Sequence, residues 1–249
     1  HLLFRIARET DSEADMPEMV EQRAVQGLFV VGGSISDAYV KALRDFAIPM
    51  VVLFTYVEQV NVNCVLADNT GGAYLAVNHL VSLGHKRIGF INGWDATRTS
   101  LGKLAGYRRV LTDAGLETDP ELVVTGDFTY ESGYARGKEL LELPSRPSAL
   151  FVADDTMALG AMKAARDLGL SVPADVAVVG FGDGPFSRHA EPPLTTVQVP
   201  KRNIGELAAR RLLELLEEKS SGPPLQIVVA TELVVRESCG ASLVKSGVE

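Results

Sequence analysis

The stretch ALFVADDTMALGAMKAARDLGLSVPADVAVVGFGD, residues 149–183, contains a complete strand–helix–strand pattern. It opens on an apolar run, continues as an Ala/Leu/Met pattern typical of a helix, reaches Gly169, and enters a second apolar run at 176–180. Apolar runs without polar alternation indicate strands buried on both faces, and hence a parallel sheet covered by helices. The stretch therefore predicts a βαβ unit of an α/β fold.

The same rhythm recurs along the chain. Strands are predicted at the apolar runs 27–31, 50–54, 63–67, 87–91, 122–126, 149–153 and 176–180. Helices are predicted between and after them at 36–46, 70–83, 102–114, 131–142, 155–168 and 201–218. Glycines stand where helix C-caps are expected, at Gly84, Gly115 and Gly169. This alternation predicts doubly wound parallel sheets.

Composition and charge narrow the function classes. A chain of 249 residues with 46% hydrophobic content can bury a large core, and its net charge of −8 disfavours direct binding of a phosphate backbone by these residues. The apolar runs are far shorter than the roughly 20 residues of a membrane span, so no membrane partner is expected. Two distant cysteines, Cys64 and Cys239, suggest no disulfide framework. A cytoplasmic location is predicted.

Enzyme signatures are absent from the sequence. The stretch GFGDG at 180–184 loosely matches a dinucleotide loop, but Pro185 follows where that motif needs a helix. No nucleophile elbow and no Walker loop occur. The histidines at 79, 85 and 189 show neither helical pairing nor a cysteine partner suited to zinc. We therefore predict no catalytic residue, no metal and no cofactor.

Polar residues follow the predicted strands. Ligands of open parallel sheets bind at the carboxyl ends of the strands, where helix N-termini point. The segments at those ends are GGS (32–34), DNT (68–70), NGWD (92–95), GDF (126–128), DDT (154–156) and GDG (182–184). Any one of them is explained more simply as a helix cap or a turn. Their shared edge predicts a small-molecule cleft.

A set of ordered motifs resembles the LacI/GalR family of bacterial transcription regulators. They are ADNTGGAYLAVNHLVSLGHKRIGFING (67–93), GYRRVLTDAGL (106–116), GDFTYESGY (126–134), residues 149–183, PPLTTVQVP (192–200) and TELVVRES (231–238). The resemblance implies the effector-binding and dimerising core of such a regulator. Its fold would be that of type I periplasmic binding proteins, with two doubly wound parallel-sheet lobes, three crossovers and a ligand cleft between the lobes.

The resemblance also implies a domain division and partners. The N-terminal lobe would comprise 1–92 and 198–221, and the C-terminal lobe 93–197 and 222–240, followed by a tail at 241–249. The family's opening strand and helix, and its DNA-reading helix-turn-helix, would precede the sequence given. A small-molecule effector, a second copy of the chain in a homodimer, and operator DNA bound through that N-terminal segment are the implied partners.

The adjacent acids Asp154 and Asp155 depart from the family pattern, which is usually Asn-Asp at this place. By resemblance Asp155 fixes the helix start, while Asp154 occupies the position that reaches the ligand. A carboxylate there accepts hydrogen bonds but donates none. The alternative is that Asp154 merely caps the helix.

Other implied ligand residues also depart from the pattern. Lys103 stands where the family commonly has an arginine, and it cannot make a planar two-pronged contact. Gly182 replaces an expected acid and is followed by Asp183, whereas Phe128 keeps the aromatic position that stacks on a ligand ring. The full implied ligand set is Phe128, Asp154, Lys103, Asp183, Ser34, Thr70 and Arg98.

Three function classes remain open from the sequence. The effector core of a regulator is favoured, a periplasmic-type solute (sugar) binding protein is the main alternative, and a cleft enzyme is third. The first two share a fold, so fold alone does not separate them. An upstream helix-turn-helix would mark the first and a secretory signal the second.

Overall fold

The computed structural model describes residues 3–4, 16–32, 35–57, 61–95, 97–217 and 223–241. The chain divides into two units: unit 1 takes residues 1–67 and 200–229, and unit 2 takes 68–199 and 230–249. The chain therefore passes from one unit to the other three times, in agreement with the three crossovers expected of the fold class.

Unit 1 is built on a four-stranded parallel sheet. Its strands are β1 (Leu28–Val31), β2 (Met50–Leu53), β3 (Asn63–Ala67) and β9 (Gln226–Val229). Its helices are α1 (Glu18–Glu21), α2 (Asp37–Asp45) and α7 (Lys201–Leu216). The strand order is β1-β2-β3-β9. The core holds β2, which is buried along its whole length, together with Val20 of α1 and Val40 and Leu43 of α2.

Unit 2 is built on a six-stranded sheet. Its strands are β4 (Ile88–Asn92), β5 (Val123–Thr125), β6 (Ala149–Val152), β7 (Ala177–Gly182), β8 (Thr195–Gln198) and β10 (Glu232–Val234). Its helices are α3 (Asn69–Ser82), α4 (Arg98–Asp113), α5 (Tyr130–Leu141) and α6 (Asp155–Asp167), with 3-10 turns at Pro120–Leu122 and Ser187–His189. The order is β10-β8-β7-β6-β4-β5, and only β10 runs antiparallel to its neighbour.

Helices cover both faces of the unit 2 sheet. On one face Tyr107 of α4 stacks on Phe90 at 5.1 Å between ring centroids, and Gly72 of α3 lies against Phe181. On the other face Gly180 lies directly under the first turn of α6. Because both faces are covered, the central strands β4, β6 and β7 consist almost entirely of apolar residues, which is why the sequence shows continuous apolar runs there.

The predicted elements are confirmed. All seven predicted strands and all six predicted helices are present, with ends that differ by a few residues. The largest difference is at α4, which begins at Arg98 rather than at 102. The strands β8, β9 and β10 and the one-turn helix α1 were not predicted. The sequences of β8 (TTVQ) and β10 (ELV) contain polar residues and so lack a continuous apolar run. None of the helices in the described ranges is both long and apolar enough to cross a membrane.

The expected division into lobes is corrected at three places. Residues 198–199 were expected in the first lobe, but Gln198 ends β8 and both residues belong to unit 2. Residues 68–92 were assigned to the first lobe, but β4 hydrogen-bonds to β5 and β6 and so belongs to unit 2. Residues 226–229 were assigned to the second lobe, but they form β9, which pairs with β3 in unit 1. Strand pairing decides these cases, and none of the pairings can be read from local sequence.

Candidate ligand-binding site at the edge of the larger sheet

Three predicted ligand residues and the neighbouring Trp94 follow the carboxyl ends of strands in unit 2. Trp94 follows β4, Phe128 follows β5, Asp154 follows β6 and Asp183 follows β7. Lys103 reaches the same edge from α4, where its Nζ atom lies 6.0 Å from the centroid of the Phe128 ring. The structure thus brings Phe128, Lys103 and Asp154 into one neighbourhood of unit 2.

Phe128 is held in place by a tight local structure. Its backbone has φ +68, a conformation that bulky residues rarely adopt. The ring lies so close to the backbone of Gly93 that a Cβ atom there would overlap it, and Trp94 packs against it edge-on at 5.7 Å. The preceding Asp127 accepts a 2.9 Å hydrogen bond from the backbone N–H of Thr129, which fixes the loop. The ring is therefore a positioned aromatic surface.

Lys103 is an unusual buried cation. Only 5% of the residue is exposed, and its Nζ atom lies 4.4 Å from the centroid of the Phe181 ring. A cation over a ring face is stabilised by the ring quadrupole. Burial lowers the pKa of Lys103 to about 8, while the negative charge of Asp154 acts in the opposite direction. At neutral pH the side chain is still mostly an ammonium.

Asp154 is the N-cap of α6, which corrects the expectation that Asp155 fixes the helix start. Its backbone is extended, and its Oδ1 atom accepts hydrogen bonds from the N–H groups of Thr156 at 2.7 Å and Met157 at 3.3 Å. The residue is half-buried. Asp154 therefore has the capping role, and its charge also acts on Lys103.

Asp155 instead ties α6 to the strands beside it. Its Oδ2 atom accepts hydrogen bonds from Gly184 N–H at 2.7 Å and Ser187 Oγ at 2.8 Å, and its Oδ1 atom accepts one of 2.5 Å from Thr196 Oγ1. Burial raises the pKa of Asp155, and these hydrogen bonds oppose the rise. The second acid is thus a buried anchor of the edge.

Asp183 is occupied by protein partners. Its Oδ1 atom lies 2.7 Å from Arg236 Nη2 and its Oδ2 atom accepts a 3.1 Å bond from Gln198 Nε2. Its backbone has φ +47. The ion pair is largely buried. Sequence reasoning missed Arg236 and Gln198; Arg236 lies within the quoted motif TELVVRES, and Gln198 within PPLTTVQVP, but their partner could not be inferred from either motif.

The other three predicted ligand residues are Thr70, Arg98 and Ser34. Thr70 is the second residue of α3 and is exposed, close to Gly102 of α4. Arg98 is the first residue of α4 and is half-buried. Ser34 lies outside the described residues.

One histidine has a partner that the sequence did not suggest. His79 Nε2 lies 3.3 Å from Cys239 Sγ, although the two residues are 160 positions apart in the sequence. His85 Nδ1 lies 2.9 Å from Ser148 Oγ. Across the described ranges no group of three or more His, Cys, Asp or Glu side chains is placed to hold a metal ion.

A cavity of about 190 Å³ lies at the other end of β4. Its lining includes Lys86, Tyr107, Glu117 and Asp119, and none of the predicted ligand residues lines it. The negative charges of its two acids largely balance the positive charges of Lys86 and Arg87, and Arg87 is paired with Asp119 at 2.7 Å.

The sequence is similar to known proteins along nearly its whole length. Residues 77–239 match the family described as periplasmic binding protein-like domain. The HTH-type transcriptional repressor CytR of Escherichia coli is 33% identical over 241 residues, which cover 96% of this chain and 70% of the repressor.

Solved structures show the same likeness. The complex of the transcriptional regulator CelR with cellobiose superposes with a TM-score of 0.81 at 35% identity, covering 90% of this chain and 71% of that one. The lac repressor dimer bound to operator and the anti-inducer ONPF gives a TM-score of 0.78 at 30% identity, covering 88% and 65%.

Proposed function

Because the chain belongs to the LacI/GalR family of transcriptional regulators, we propose that it is the effector-binding and dimerising core of a regulator whose affinity for operator DNA depends on a small molecule. The observation that carries the proposal is the cluster of Phe128, Lys103 and Asp154 at the carboxyl edge of the unit 2 sheet. Ligands of open α/β sheets bind at such edges.

Each residue of the cluster has a chemical role in the proposal. Phe128 offers a ring face for stacking on a sugar or heterocyclic ring. Lys103 donates hydrogen bonds, and Asp154 accepts them with the carboxylate oxygen that does not cap α6. Asp183, which is paired with Arg236, lies at the same edge of the sheet. Thr70, Arg98 and Ser34 complete the proposed ligand set.

The proposed partners follow from the relatives and the charge. The relative CytR is named as a helix-turn-helix repressor, and the lac repressor structure is a dimer on its operator. We propose that this protein also forms a homodimer and contacts operator DNA through a helix-turn-helix outside residues 1–249, because a net charge of −8 repels phosphates. It would act in the cytoplasm, without catalysis.

The experiment measures DNA and ligand binding together. The full-length gene product is incubated with sheared DNA from its own genome, and the bound fragments are sequenced and retested by gel shift with and without a library of sugars and nucleosides. We expect a palindromic site and at least one compound that changes its affinity tenfold or more. Residues 1–249 alone should give no specific, salt-sensitive shift. Failure of the full-length product to select any sequence would contradict the proposal.

A further inference from the structure

The ammonium of Lys103 belongs to a buried residue, and the described residues provide no acceptor for it. No hydrogen bond or ion pair joins its Nζ atom to the part of the chain that the structure describes. Instead the atom lies over the Phe181 ring at 4.4 Å and 6.0 Å from Phe128, with 95% of the residue buried. Aromatic rings attract a cation, but they do not replace the three hydrogen bonds that an ammonium makes in water.

The acids nearest in the fold accept hydrogen bonds from other groups, although the charge of Asp154 also favours the ammonium form of Lys103. Asp154 accepts two backbone N–H groups at the N-terminus of α6, where the helix dipole offsets its negative charge. Asp183 is paired with Arg236 at 2.7 Å and accepts a further bond from Gln198. A ligand that enters this edge therefore meets two carboxylates with partners of their own and one ammonium without an acceptor.

Other charged side chains on the adjoining elements do not change this balance. Asp68 at the start of α3 accepts from Gly71 N–H at 2.7 Å, Asp95 after β4 accepts from Thr125 Oγ1 at 2.8 Å, and Asp127 after β5 accepts from Thr129 N–H at 2.9 Å. The other charged residues of α4 are Arg98, Arg108, Arg109 and Asp113, and the arginines keep their protons throughout the accessible pH range.

We propose that Lys103 is a specificity-determining residue that makes this site select an acidic effector, a hydroxylated ring bearing a carboxylate or phosphate, whose oxyanion accepts hydrogen bonds from the Lys103 ammonium over Phe181. The inference rests on the proposed function, because it concerns the ligand of the same site. A charge-assisted hydrogen bond is roughly twice as strong as a neutral one, and the low exposure of Lys103 strengthens an electrostatic contact to its Nζ atom. Hydroxyl groups of the same ligand would donate to Asp154.

Selection of this kind depends on the proton of Lys103. The neutral amine donates more weakly and carries no charge, so the preference for an acid should weaken once Lys103 loses its proton. Burial brings the pKa of Lys103 to about 8, which places that loss in the mildly alkaline range. An arginine at the same position would keep its charge at every accessible pH.

The test uses two matched probe pairs that differ only at C6 of one sugar. Titration calorimetry on the full-length gene product compares methyl β-D-glucuronide with methyl β-D-glucoside, and glucose 6-phosphate with glucose. At pH 7 we expect the acid of at least one pair to bind about tenfold more tightly than its neutral partner; the pair that shows it identifies carboxylate or phosphate. Between pH 7 and 9.5 that ratio should fall towards one.

Variants separate the role of Lys103 from general electrostatics. Lys103→Met should abolish the preference, Lys103→Arg should retain it with a flat pH profile, and Lys138→Met, an equal charge loss at an exposed site on α5, should leave it unchanged. Equal affinities within both pairs, tighter binding of the neutral sugars, a preference that survives in Lys103→Met, or no binding of either acid would overturn the inference. Tight binding of a neutral sugar would do so while leaving the proposed function intact.

Discussion

The carboxylate of Asp155 accepts a 2.5 Å hydrogen bond from the hydroxyl of Thr196, a residue 41 positions further along the chain. The bond joins the first turn of α6 to β8, and the same carboxylate also binds Ser187 Oγ and the N–H of Gly184. One buried acid therefore holds together three segments that end at the candidate ligand site. The adjacent Asp154 has a different role, because it caps the N-terminus of α6.

Asp155→Ala should destabilise the protein severely. The substitution leaves two hydroxyl donors and one backbone N–H at a buried site without their acceptor, and we expect a loss of about 3 kcal/mol in the free energy of unfolding. Urea denaturation monitored by circular dichroism measures it. Thr196→Val, which removes one donor only, should cost about 1 kcal/mol. A loss below 1 kcal/mol in Asp155→Ala would show that the anchor is dispensable.

Asp154 should respond differently to its two simplest replacements. Asparagine is as good an N-cap as aspartate, so Asp154→Asn should leave the free energy of unfolding nearly unchanged, whereas Asp154→Ala should lower it by about 1 kcal/mol. If the side chain also contacts the effector, Asp154→Asn should shift preference towards neutral sugars. Thermal unfolding and calorimetry with the same ligands report the two effects separately. Equal destabilisation by both replacements would contradict the capping role.

The sequence predicted the framework well because local signals determine it. Apolar runs, glycine stops and helix periodicity placed β6, α6 and β7 correctly. Partners distant in sequence were not predictable in the same way: Thr196 binds Asp155, Arg236 binds Asp183, and β9 joins β3. The family pattern named Lys103 and Phe128, but the 4.4 Å approach of Lys103 to Phe181 follows only from how α4 packs on the sheet.

Phe128→Ala should weaken every ring-bearing ligand by a similar factor, because it removes a stacking surface and no polar group. A loss of about 1 kcal/mol in binding free energy is expected for each such ligand. Gly93→Ala should have a comparable effect without touching the ring chemically, because the new methyl group would displace the Phe128 ring. Calorimetry on both variants checks this. A selective loss for one ligand would instead indicate that Phe128 discriminates by shape.

The pH dependence of stability should carry the signature of Lys103. Its pKa is about 8 in the folded protein and about 10.5 in the unfolded chain, so between these values the unfolded state binds more protons and stability rises with pH. Burial of the Lys103 charge therefore destabilises the protein fully below pH 8, and this effect disappears as the pH passes 10.5. The resulting loss in the free energy of unfolding is at most about 3 kcal/mol. Lys103→Met should therefore be more stable than the parent protein at pH 7, with a difference that shrinks steadily up to pH 10.5.

Urea unfolding at half-unit pH steps measures this difference in the free energy of unfolding, in which the titrations of all other groups cancel. Lys138→Met, at an exposed position, should give a difference near zero at every pH. A constant difference between parent and Lys103→Met across this range would mean that Lys103 titrates as an ordinary surface lysine.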